Sequence, residues 1–74
     1  MMKWLVVQEN GNELLFEELP ERNISKVKGY GRWTSKHIKD YPLPKGSIEH
    51  LIGKKLTWED EPFEFPEDFY IKNK

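Results

Sequence analysis

Seventy-four residues, 34% of them charged and ten of them aromatic, with no cysteine, make a single small globular domain over 1–74. Such a chain lies near the lower size limit for a self-sufficient core, and lack of cysteine excludes a disulfide framework or a thiolate metal site. Formal charge is segregated, −3 over residues 1–20, +6 over 21–55 and −4 over 56–74 for −1 overall, so a basic middle can meet an acidic partner without making the whole protein cationic.

The apolar opening Trp4-Leu5-Val6-Val7 stops at Gln8, too soon for a signal-peptide core or a membrane span, and a cytoplasmic protein with no membrane association is expected. The first element is a hairpin. Trp4–Gln8 and Glu13–Leu19 flank Asn10-Gly11, the preferred central pair of a two-residue type I′ turn. Centred there, the turn pairs Val7 with Leu14 and Leu5 with Phe16 on one face, and Val6 with Leu15 and Trp4 with Glu17 on the other. Moving it to Gly11-Asn12 sets Val6 against Glu17 and spoils the match. Apolar side chains on both faces predict a ribbon covered on each side.

Pro20-Glu21-Arg22-Asn23 reads as a break. From Ile24 to Lys39, Gly29 and Gly31 disfavour a helix by about 1 kcal/mol each, and the segment sorts as a strand. Lys26, Lys28, Tyr30, Arg32, Thr34 and Lys36 fall on one face, with Val27, Gly29, Gly31, Trp33 and Ser35 on the other. The inner glycines leave room for a neighbour's ring or mark a bend. Asp40 to Gly46, with two prolines, reads as a turn or polyproline-like connector.

Ser47 is placed to cap a short helix carrying Ile48, Leu51 and Ile52 at i, i+3 and i+4, and Gly53 is placed to end it. Lys54–Trp58 reads as a strand with Leu56 and Trp58 on one side, followed by a polar Glu59-Asp60-Glu61-Pro62 turn. Phe63 and Phe65 alternate around Glu64 in a last extended piece. Pro66-Glu67-Asp68 can open a helical turn that docks Phe69 and Ile71. The predicted class is α+β, mostly antiparallel, either a five-stranded sheet with one short helix packed across it or a barrel of SH3-like layout.

Few residues carry chemistry. Lys26, Lys28, Tyr30, Arg32 and Lys36 form the candidate partner-binding set, with cations for phosphates and a ring for a base to stack on. The same stripe also serves as a solvated strand face blunted against edge pairing by its lysines. Gly29-Tyr30-Gly31 lacks the remaining residues of a dinucleotide fingerprint or a P-loop. Glu59-Asp60-Glu61 lacks the spacing of a calcium loop and reads as a hydrated turn.

His37 beside the basic stripe and His50 on the helix's exposed side have no nucleophile to activate. No catalysis, cofactor or metal is expected. The reading is a small protein-interaction module, an inhibitor or adaptor of the kind phages and other mobile elements encode, with a protein partner. The alternative is a nucleic-acid-binding or regulatory module using the basic face. The acidic, ring-bearing stretch from Trp58 to Tyr70 suits the former, as a mimic of a phosphate backbone or as a tail anchored on its own domain.

Overall fold

The computed structural model describes residues 2–36 and 40–66. In chain order the elements are β1 (Met2–Val7), β2 (Glu13–Phe16), β3 (Glu21–Asn23), β4 (Arg32–Thr34), β5 (Tyr41–Leu43), α1 (Ser47–Ile52) and β6 (Phe63–Pro66). One antiparallel sheet has the order β5-β2-β1-β6 and a second pairs β3 with β4. The expected single five-stranded sheet is therefore replaced by four strands plus two. These strands do not close into a barrel, which leaves the SH3-like layout without support.

The N-terminal hairpin forms one residue out of the expected register. Trp4 faces Phe16, Leu5 faces Leu15, Val6 faces Leu14 and Val7 faces Glu13. The cause is the turn. Gly11 N–H donates to the Gln8 carbonyl at 2.9 Å and Gln8 N–H to the Asn12 carbonyl at 2.8 Å, enclosing a three-residue loop. Only Gly11, at φ 95°, is left-handed, while Asn10 has negative φ and its side chain accepts the Asn12 N–H at 2.9 Å. A type I turn followed by a left-handed glycine suits the strand twist as well as a type I′ turn does. The same register sets Lys3 opposite Glu17, whose side chains pair at 2.7 Å. Gly11→Val, which puts a β-branched side chain at positive φ, is expected to cost about 1 kcal/mol or more, read from the urea midpoint.

This register gives the sheet two buried faces. Val6, Leu14 and Phe16 join Trp33, with Trp4 and Trp58 at the margin, whereas Leu5 and Val7 join Ile48 with Leu15, Leu43, Leu51, Leu56 and Phe63 around them. Cover on both faces is what the apolar pattern predicts. The β3–β4 hairpin and Trp58 close one face, and α1 with Leu56 closes the other. Leu56 and Trp58 therefore serve opposite cores, and Lys54–Trp58 is not the predicted strand. Its last residues enter a turn in which Asp60 N–H donates to the Thr57 carbonyl at 3.0 Å.

Three further expectations are corrected. β2 ends at Phe16 rather than Leu19, and Glu21–Asn23 is a strand rather than a break. Tyr41-Pro42-Leu43 is the edge strand β5 on β2. An edge position tolerates Pro42 because its missing N–H points away from β2, and it leaves that edge without a donor for strand addition. β6 carries Pro66 opposite Met2, which likewise has no N–H to offer an added strand.

Ser47 does not cap α1. Gly46, at φ 90°, is the N-cap and makes no side-chain bond. Ser47 Oγ instead donates to the Pro44 carbonyl at 2.6 Å. The orphan donors go to Glu13 of β2, whose two carboxylate oxygens accept Gly46 N–H at 2.7 Å and Ile48 N–H at 2.8 Å. A carboxylate at a helix start meets both the free N–H groups and the positive end of the dipole. Glu13→Ala is expected to cost about 1–2 kcal/mol, as loss of a cap does, read as a lowered thermal midpoint. Gly53 ends the helix as expected, at φ 79° with its N–H on the Glu49 carbonyl. The helical turn expected from Pro66 to Ile71 lies beyond the described residues except for Pro66 itself, which belongs to β6.

Candidate partner-binding loop

The β3–β4 hairpin carries most of the candidate residues. Glu21 faces Thr34, Arg22 faces Trp33 and Asn23 faces Arg32, so residues 24–31 form a loop whose two ends are held together. Alternation across β4 buries Trp33 at 4% exposure and leaves Arg32 and Thr34 exposed.

Three contacts fasten the stem of this hairpin. Trp33 Nε1 donates to the Val7 carbonyl at 3.1 Å in a buried setting, which satisfies the indole while its ring fills the core. Glu9 N–H donates to the Gly31 carbonyl at 3.1 Å, and Gly31 N–H returns a bond to Glu9 Oε1 at 2.9 Å. Arg22 lies over Trp33 and Trp58, its guanidinium carbon 4.7 and 5.2 Å from their ring centroids. Its Nη2 donates to the Trp58 and Asp60 carbonyls at 3.1 and 3.0 Å. A planar guanidinium suits this role because it stacks and forks at once. The two rings meet edge to face, with centroids 5.9 Å apart.

Gly31 is where the backbone must be bare. A Cβ there would lie 2.5 Å from Trp58 Cζ2 and 2.8 Å from Glu9 Oε1, so the predicted room for a neighbouring ring is found at this glycine. Gly29 serves differently, as the φ 91° residue of a turn in which Tyr30 N–H donates to the Val27 carbonyl at 3.2 Å. That is the position where a type II turn calls for glycine. The Gly31 N–H is committed to Glu9 and is not free for a phosphate.

The long basic strand is accordingly replaced by a loop and a short strand. Lys26, Lys28 and Tyr30 lie in the loop, Arg32 stands at its mouth, and Lys36 follows β4 beyond the other end of the hairpin. All five are exposed, and among the described residues none of the four cations has an ion-pair partner. Val27, expected on the core face with Trp33, is 55% exposed because the turn carries it off the strand. Ile24 at 81% and Tyr30 at 67% stand out with it.

The sequence pattern missed Ile24 and Val27 as surface features, since strand alternation assigned Val27 inward. Their position between Asn23 and Gly29, the left-handed residue of the turn, was the available signal. The Glu59-Asp60-Glu61 turn is tied internally: Asp60 accepts Thr57 N–H at 2.7 Å, and Glu61 approaches Arg22 Nη1 at 3.8 Å. His50 is exposed on α1, and His37 lies outside the described residues.

Near α1 a hollow of about 290 Å³ includes Val7, Glu13, Gly46 and Leu56 in its lining, but the carboxylate in it is already bonded to the helix start. Among the described residues no group of three acidic or histidine side chains is placed to hold a metal, and no helix is long and apolar enough to cross a membrane. No family model, curated protein or solved structure matches this chain.

Proposed function

We propose that this protein is a small non-catalytic interaction module, an inhibitor or adaptor, that docks on a protein partner through the loop between β3 and β4. One observation carries the reading. Ile24, Val27 and Tyr30, exposed by 81, 55 and 67%, share a seven-residue stretch with Lys26 and Lys28, and Arg32 stands at its mouth. Clustered exposed apolar side chains are the usual anchors of protein interfaces, with cations forming the rim. The anchored stem adds to this, since a loop held at its base loses less freedom on binding.

The nucleic-acid reading draws on the exposed Tyr30 ring and on cations that have no ion-pair partner among the described residues. It gives no use to Ile24 and Val27, whose aliphatic side chains neither stack on bases nor bond phosphates. Capture from lysate by wild type and by an Ile24→Ser/Tyr30→Ser variant, each with and without nuclease, tests the two readings. The expected result is a protein retained by wild type after nuclease and lost by the variant. Capture that nuclease abolishes, together with oligonucleotide binding whose log–log salt slope is about −2 for three phosphates met by Lys26, Lys28 and Arg32, overturns the proposal.

A further inference from the structure

The geometry points to an acidic protein surface as the loop's occupant, one in which an apolar hollow receives Tyr30, Val27 and Ile24 and carboxylates around it meet Lys26, Lys28 and Arg32. This inference rests on the loop as a protein-docking element and adds the chemistry of what docks. From Ile24 to Lys36 the chain has four cations and no acidic residue. The nearby carboxylate of Glu9 is bonded to the Gly31 N–H at 2.9 Å, and Asn23 bonds Thr34 rather than engaging the loop. The loop cations therefore meet no acid of their own hairpin within the loop.

Each exposed apolar residue lies within two positions of a cation: Ile24 by Lys26, Val27 between Lys26 and Lys28, and Tyr30 between Lys28 and Arg32. The turn that bonds Tyr30 N–H to the Val27 carbonyl brings those two residues to the same end of the loop, with Lys28 at the corner. Apolar and cationic contacts are thus interleaved, and a matching surface must interleave apolar and anionic groups at the same spacing. Side chains of a folded protein do so.

A flat anionic membrane or an extended polyanion matches less well, because the acidic turn stands beside the hairpin stem. Arg22 holds the Asp60 carbonyl at 3.0 Å and the Glu61 carboxylate at 3.8 Å, and the exposed Glu59, Asp60 and Glu61 side chains are carried with them. A broad negative surface approaching the loop would meet these carboxylates. A compact acidic patch can avoid them. Strand addition is also disfavoured at the two outer edges of the larger sheet, where Pro42 and Pro66 remove donors.

A displayed random peptide library, panned on the whole immobilised protein, tests the inference without a known partner. Peptides released by competition with free wild-type protein but not with the Ile24→Ser/Tyr30→Ser variant are expected to combine Asp or Glu with aromatic or aliphatic residues. Their affinity should fall about tenfold or more on Lys26→Glu/Lys28→Glu, chiefly through slower association, as steering charges act on the encounter rate. Far-UV circular dichroism and thermal midpoints confirm that the variants remain folded, since every altered side chain is solvent-exposed.

Loop-dependent peptides that are neutral or basic overturn the acidic chemistry while leaving the docking loop in place. Peptides indifferent to both variants, or no enrichment at all, overturn the docking loop itself. Binding to phosphatidylglycerol vesicles or to oligothymidylate that matches peptide binding in strength and is lost in the same variants overturns the protein surface in favour of a lipid or a nucleic acid.

Discussion

Trp33→Ala is expected to cost about 3–5 kcal/mol, a large part of the total stability of so small a chain. The indole is 4% exposed, packs with Val6, Leu14 and Phe16, and provides one face of the Arg22 stack. Its loss also leaves the buried Val7 carbonyl without its 3.1 Å donor. Trp33→Phe separates the two contributions. It keeps most of the ring contact and removes only the donor, so about 1–3 kcal/mol is expected. Urea midpoints of the two variants measure the split. A Trp33→Ala protein that remains folded with an unchanged midpoint but no longer captures its partner would falsify the core assignment and make Trp33 a contact residue.

Gly31→Ala is expected to destabilise the protein by about 1–3 kcal/mol although it adds a single methyl group. The new Cβ would lie 2.5 and 2.9 Å from two atoms of the Trp58 ring and 2.8 Å from Glu9 Oε1. Trp58 cannot give way cheaply, because Arg22 and Trp33 hold its other sides. The same substitution at Gly29 meets nothing within 4 Å and is strained only by its φ of 91°. A lower thermal midpoint accompanied by a changed tryptophan emission is the expected signature for Gly31→Ala. Equal midpoints for Gly31→Ala and wild type would show that the ring relaxes freely.

The parts of this fold legible in the sequence are those set by neighbours in the chain. Asn10-Gly11 located the first hairpin, Ile48, Leu51 and Ile52 with Gly53 located the helix, and apolar residues of both parities in Trp4–Val7 foretold two covered faces. The register slipped by one because Asn-Gly suits a two-residue turn and also the last two positions of a three-residue one. Lys3 opposite Glu17 was the clue that separated them.

The stretch from Ile24 to Arg32 imitated a strand because alternating lysines look alike in a strand and in a solvated loop. Only Gly29, needed at positive φ, broke the pattern. Pro42 argued against a strand in general but not against an edge strand. The candidate site was legible in its cations and Tyr30, while its apolar anchors were not. What local pattern cannot carry are contacts across the chain. The Glu13 carboxylate reaches a helix start 35 positions away, and Arg22 bonds a carbonyl 36 positions away.

β1 lies inside the larger sheet, paired on one side with β2 and on the other with β6, where Met2 meets Pro66 and Leu5 meets Phe63. The strand made first is thus completed by one made much later. Until β6 docks, the hairpins and the helix can be in place while one edge of β1, from Lys3 to Leu5, still shows unpaired backbone groups. Such an edge invites strands from other chains. The protein is therefore most exposed to mispairing in partly folded states in which residues 63–66 are undocked, and that exposure ends when they close the edge.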